Sequence, residues 1–182
     1  MALKTLNMAI KTIEDLRVIH RRLQIPDEYI DICGLPFCPE PEELAAAGPD
    51  VFGRPALLEP QALRSWQQMR QAAAQDSVEL HLVSAYRSID YQAEVLARKV
   101  ASGRSMEDVL TVNAAPGFSE HHSGRAIDIG TPGCPPLEEE FDQTQAFRWL
   151  SKHAKDFGFL LSYPKGSSGI INYEPWHWCF HA

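Results

Sequence analysis

His121 and Asp128 stand seven residues apart with Gly124 between them, and that spacing limits what the segment can fold into. On one unbroken strand an odd separation sends the two side chains to opposite faces. On one helix seven residues would align them, but Gly124 followed by β-branched Ile127 disfavours a continuous helix. A turn at or before Gly124, then a strand from about Arg125 to Ile129, satisfies both constraints. His121 then reaches toward Asp128 from the turn, and the small Ala126, two residues back on the same face, leaves room beside it.

A second stretch, Glu174-Pro175-Trp176-His177, supplies what the first lacks. Pro175 bars central-strand pairing, so Glu174 belongs to the loop before a final strand from Trp176 to His181. Along that strand His177, Cys179 and His181 share one face, and Trp176, Trp178 and Phe180 share the other. The aromatic face is expected in the core and the His177 face in a cleft. The two stretches together offer two imidazoles, one ligating carboxylate and one spare carboxylate. A hydrolytic zinc site needs that set, because it keeps three protein ligands and an open position for water. His122 competes with His121 on these grounds. Glu120 reads as a solvated or supporting carboxylate, and His20, His81 and His153 as structural or surface groups.

The remaining sequence reads as helices around a small sheet. Leu6, Ile10, Ile13 and Leu16 mark an amphipathic helix over about residues 5–24. A stretch rich in Pro and Gly, from Pro26 to Pro60, is expected to be irregular and to wrap the core. A helix follows from about Pro60 to Gln75, with Leu63, Trp66 and Met69 inward. Val78 to Ala85 reads as a buried strand turning at Tyr86-Arg87-Ser88 into a helix over Ile89–Ala101. Ser105 is positioned as an N-cap for a short helix, and residues 113–118 as a loop. A helix is expected over about residues 139–157, its acidic start at Leu137-Glu138-Glu139-Glu140 suiting the dipole. A short strand spans Phe159 to Ser162, and residues 164–169 form a loop able to act as a lid or face the substrate. The fold class is α+β: one domain, a mostly antiparallel small sheet flanked by helices, with residues 1–79 joined to a core of residues 80–182.

At 182 residues the chain suits one domain with a substantial core. Its formal charge of −7 argues against nucleic acid or an anionic membrane as main partner. No apolar run approaches the roughly 20 residues needed to cross a bilayer. The first residues lack the apolar core of a secretory signal, so a cytoplasmic location is expected, with export by another route as the alternative. Four cysteines (Cys33, Cys38, Cys134, Cys179) match no zinc-ribbon spacing and are expected to be reduced; a Cys33–Cys38 bridge requires an oxidising compartment.

The two stretches resemble the VanY-type family of zinc D-alanyl-D-alanine carboxypeptidases, which has dipeptidase and L,D-carboxypeptidase relatives. Its Ser-x-His-x-x-Gly-x-Ala-x-Asp element is matched from Ser119 to Asp128, and its Glu-Pro-Trp-His element from Glu174 to His177. A third element, Ser-x-Tyr-Arg-Ser with Tyr and Gln beyond, is matched by Ser84-Ala85-Tyr86-Arg87-Ser88 and Tyr91-Gln92. The resemblance implies one zinc per chain on His121, Asp128 and His177, with Glu174 as general base. It implies that Arg87 binds substrate and stabilises the developing oxyanion, and that Ser84, Ser88, Gln92 and Ser119 hold the peptide's terminal groups. Cys179 stands where the family commonly has arginine, which leaves filler, ligand and redox group open as its role.

The expected function is therefore a zinc carboxypeptidase removing a C-terminal D-amino acid, D-alanine above all, from peptidoglycan-type peptides. Two alternatives remain: an endopeptidase or D,D-dipeptidase on the same scaffold, and a metal-binding module without catalysis. Glu174 and Arg87 argue against the module, because a purely structural zinc needs neither.

Overall fold

The computed structural model describes residues 12–182. In chain order its elements are α1 (Ile13–Arg22), α2 (Tyr29–Ile32), β1 (Ala45–Pro49), β2 (Pro55–Leu58), α3 (Pro60–Gln75), β3 (His81–Ser84) and α4 (Ile89–Ala101). There follow α5 (Met106–Leu110), β4 (Ala126–Gly130), α6 (Gln145–His153), β5 (Phe159–Leu161) and β6 (His177–Phe180). Short 3-10 turns occupy Glu120–Ser123, Glu139–Gln143 and Ala154–Phe157.

Four strands form one antiparallel sheet in the order β3-β4-β6-β5, and β1 pairs with β2 in a separate antiparallel hairpin. The register of the main sheet sets up the site. Ser84 pairs with Asp128 and Asp128 with His177, so one row across three strands carries all three. Strand alternation then sends Ile127, Ile129, Trp178 and Phe180 to the opposite face. There they join Trp66 and Met69 of α3, Trp149 and Leu150 of α6, and Phe141 in the larger core cluster. The aromatic side of β6 faces this core, as its alternation predicts. A second cluster brings Leu16 and Ile19 of α1 against Ile89 and Leu96 of α4, Phe118 and Ile171.

Several boundaries differ from the sequence expectation. The described part of the first helix is Ile13–Arg22, opened by a capping box between Thr12 and Asp15; Leu6 and Ile10 lie outside the described residues. The stretch from Pro26 to Pro60 is not wholly irregular, since it holds α2 and the β1–β2 hairpin. The hairpin escapes a periodicity reading because its strands are Ala- and Pro-rich and largely exposed. The single helix expected over residues 139–157 is three pieces. Extended backbone at Thr144 (ψ 161°) interrupts it, and the Thr144 side chain accepts from the Phe147 N–H to start α6 afresh. The strands β3 and β6 are shorter than expected, at four residues each. Ser105 caps α5 as predicted.

All four cysteines are free thiols. Among the described residues, no helix is long and apolar enough to cross a membrane.

Candidate metal centre

Three side chains meet at the floor of a cavity of about 680 Å3. His121 comes from the 3-10 turn, Asp128 from β4 and His177 from β6; all three are buried. Gly124 closes the turn in the left-handed region (φ +67°), where glycine carries no Cβ penalty, and delivers the chain into β4. Its carbonyl accepts from the Glu59 N–H, so the turn is tied to the start of α3.

The three groups could hold a metal ion, one donor atom from each lying within 4.8 Å of the others. His121 Nε2 is 3.2 Å from Asp128 Oδ2, and His177 Nδ1 is 3.0 Å from Asp128 Oδ1. A tetrahedral zinc with bonds of about 2.0–2.1 Å has ligand–ligand edges of about 3.3 Å, and the two distances, one to each Asp128 oxygen, are close to that size. The imidazoles stand edge to face at 84°, with centroids 4.9 Å apart. On His121 the backbone fixes the tautomer. Nδ1 is 2.8 Å from the Ala85 carbonyl, which can only accept, so Nδ1 carries the proton and Nε2 presents a lone pair to Asp128. Two imidazole nitrogens and a carboxylate, dry and convergent, fit zinc.

The electrostatics are those of a crowded buried site. Burial pushes the His121 pKa down, against the pull of Asp128. Burial would raise that of Asp128, yet His121 and His177 hold the carboxyl well below its usual range. Burial also opposes a charged His177, but hydrogen bonds to Asp128 and Glu120 drive it up to about 10. Glu174 stands in the loop before β6, Oε2 3.8 Å from His177 Nδ1. Burial raises its pKa to about 7, with His177 pulling the other way. A carboxylate poised near neutrality suits proton transfer at neutral pH.

Arg87 follows β3, half-buried beside the triad, and desolvation lowers its pKa against the attraction of Asp128 and Glu174. Its Nη1 donates to Gln92 Oε1 at 2.8 Å, while Gln92 Nε2 donates to the Ala114 carbonyl at 2.7 Å. The Gln92 amide is thus engaged at both ends and holds Arg87, and its side chain also lines the cavity. Ser84 and Ser119 line the cavity. Ser88 does not: its hydroxyl accepts from the Tyr91 N–H and caps α4. Short polar side chains at a helix start favour the capping position, and sequence alone does not separate that duty from substrate contact.

His122, the rival ligand, is fully occupied elsewhere. Its Nδ1 lies 2.6 Å from the Arg87 carbonyl, and its Nε2 accepts from the Gly117 N–H at 3.1 Å. Cys179 is buried on the strand that carries His177, near Glu120, and burial raises its thiol pKa. Two groups at the site, Tyr163 and Lys99, went unnoticed in the sequence, and Glu120, read there as a solvated or supporting carboxylate, proves to be the supporting kind. Glu120 Oε2 lies 2.8 Å from His177 Nε2. The Tyr163 ring packs 5.0 Å from that of His177. Lys99 lines the cavity and donates to Asn113 Oδ1 at 2.8 Å. Only Lys99 left a local signal, seven residues after Gln92 and hence on the same face of α4.

An α+β fold whose central strands, with the 3-10 turn before β4, bring a buried His–Asp–His set to a cleft beside a carboxylate and an arginine defines a class of proteins built around one metal centre. Residues 55–182 match the family model VanY, D-alanyl-D-alanine carboxypeptidase, and the chain belongs to that family. It is 37% identical over 112 residues to YodJ of Bacillus subtilis, and 33% identical over 122 residues to a D-alanyl-D-alanine carboxypeptidase of Enterococcus faecalis. These matches cover 60% and 62% of this chain but 41% and 44% of those relatives, so the chain spans less than half of their length. Among solved structures, the LdcB LD-carboxypeptidase superposes with TM-score 0.70 at 30% identity, covering 78% of this chain and 69% of that one. VanYB in complex with D-alanine-D-alanine gives 0.61 at 27%, covering 77% of each chain. A VanY variant in complex with Zn(II) gives 0.58 at 28%, covering 76% of this chain and 78% of that one.

Proposed function

We propose that this protein is a zinc-dependent carboxypeptidase that removes a C-terminal D-amino acid, D-alanine above all, from peptidoglycan-type peptides. The observation that carries the reading is the meeting of His121, Asp128 and His177 in one cleft, with Glu174 3.8 Å from His177 Nδ1. Relatives solved with Zn(II) and with D-alanine-D-alanine support the choice of metal and substrate. Residues between Leu16 and Phe37 share a hydrophobic cluster with α4 and the loop before the 3-10 turn, and residues between Ala56 and Val78 share the other with the main sheet, which supports assigning the described part of residues 1–79 to the same domain as residues 80–182.

In this reading His121, Asp128 and His177 hold one zinc per chain. The zinc supplies a Lewis acid that activates water at neutral pH. Glu174 takes the proton of the attacking water and returns it to the leaving amine. The Arg87 guanidinium, held by Gln92, donates to the oxygen that becomes negative; it stays protonated and its planar fork fits an oxyanion. Ser84 and Ser119 stand in the cavity wall within the peptide's path, and Gln92 positions Arg87. Specificity for an L-residue before the D-amino acid is a second reading, favoured by the stronger superposition on the LD-carboxypeptidase.

The test is a zinc-loaded protein offered peptides ending in D-Ala-D-Ala, in L-Lys-D-Ala and in L-residues, with products read by mass spectrometry. Elemental analysis is expected to find close to one zinc per chain, and loss of D-alanine from either of the first two peptides decides between the readings. Cleavage of all-L peptides alone would refute the cell-wall assignment.

A further inference from the structure

The outer nitrogens of the two imidazoles meet different partners. His121 Nδ1 faces the neutral carbonyl of Ala85 at 2.8 Å, whereas His177 Nε2 faces the Glu120 carboxylate at 2.8 Å. Glu120 lies on the same 3-10 turn as His121, so one turn supplies a metal-facing imidazole and also reaches across the sheet to the other. The turn itself is braced, since Ser123 Oγ donates to the Glu120 carbonyl at 2.6 Å and also accepts from the Arg125 N–H. The Glu120 side chain is mostly buried, at 22% exposure. A buried carboxylate is costly unless hydrogen-bonded. The 2.8 Å contact with His177 Nε2 supplies that bond. An ionised carboxylate only accepts. His177 Nε2 then carries the proton, and in the neutral ring that a metal requires the lone pair lies on Nδ1, the nitrogen 3.0 Å from Asp128.

We infer that Glu120 is a positioning residue of the metal centre, fixing His177 in the tautomer and orientation that present Nδ1 to the ion. This rests on the metal-site reading above. Glu120 also makes that imidazole a more basic donor than one backed by a carbonyl. The two halves of the site are thereby coupled: a shift of the turn that moves His121 also moves the support of His177.

The test is the zinc dissociation constant at pH 7, read by competition with a chromophoric chelator, for the wild type, E120A, E120Q and H177A. Outer partners of ligating histidines are worth about 10- to 100-fold in metal affinity. E120A is expected to lose affinity in that range while the melting temperature of its metal-free form stays near wild type. E120Q, which keeps an acceptor oxygen without the charge, is expected to fall between the two. Wild-type affinity in E120A, or an E120Q weaker than E120A, would overturn the inference. If E120A folds poorly, E120Q decides: weaker zinc binding than wild type with an unchanged metal-free melting temperature supports the role, and no loss relative to wild type refutes it. H177A separates the two claims, because zinc binding unchanged in H177A would bring down the metal-site reading itself.

Discussion

Adjacent residues in this site do unrelated work. His121 turns Nε2 toward Asp128, while His122 serves as a brace, its Nδ1–H donating to the Arg87 carbonyl and its Nε2 accepting from Gly117. Protonating Nε2 would break the second bond, and burial accordingly lowers the His122 pKa to about 4. The sign follows. As pH falls below about 6.5 the unfolded chain takes up this proton and the folded chain does not, so stability is full above 6.5 and declines down to 4. At about 1.4 kcal/mol per unit the group accounts for about 3 kcal/mol of acid destabilisation. Denaturant titrations between pH 7 and 4 should show that slope in the wild type and its reduction in H122Q, where the amide can mimic both bonds. Equal slopes would contradict the assignment. Which of the two histidines faces Asp128 was legible only from the motif, since it depends on how a 3-10 turn presents neighbouring side chains. Glu120 and Tyr163 left no periodic trace, because they meet His177 from distant segments.

Among the elements, the glycine in the turn and the strand register are decisive. The seven-residue spacing of His121 and Asp128 requires a turn and then a strand, and the 3-10 turn at Glu120–Ser123 followed by β4 matches it. Gly124 cannot be exchanged freely. An added Cβ would sit 2.9 Å from the Glu59 backbone nitrogen and 3.0 Å from Leu44 Cδ2, at φ +67°. Left-handed backbone alone costs a non-glycine residue about 1–2 kcal/mol. G124A should lower the unfolding free energy by at least that much in chemical denaturation and weaken zinc binding as the turn shifts; a variant as stable as wild type would show the turn to be pliant. The helix over residues 139–157 was less legible, because its apolar spacing persists across Thr144 while the backbone there is extended to cap α6.

For the molecule as a whole, the segment before α3 acts as a strap over the elements that carry the site. The Cys38 N–H donates to Gly117, the Val51 N–H to Leu82, and the Glu59 N–H to Gly124. Glu40 Oε1 accepts from the Ile89 N–H at the start of α4. Phe52 and Arg54 reach the cavity wall. These long-range ties explain why the wrapping role of the segment could be read from its prolines while its contribution to the cleft could not. The loop at residues 164–169 is exposed, and its flanking residues Tyr163 and Ile171 line the cavity.

In the proposed mechanism Glu174, whose pKa burial raises to about 7, waits beside a His–Asp–His set that could hold a metal. The mechanism's most direct test is the rate of D-alanine release by zinc-loaded E174A beside the wild type, with zinc content measured on the same samples. The account predicts close to one zinc per chain in both and a turnover about 10²–10⁴-fold lower in the variant, the usual loss on removing a general base. Near-normal turnover in a zinc-replete E174A would contradict it.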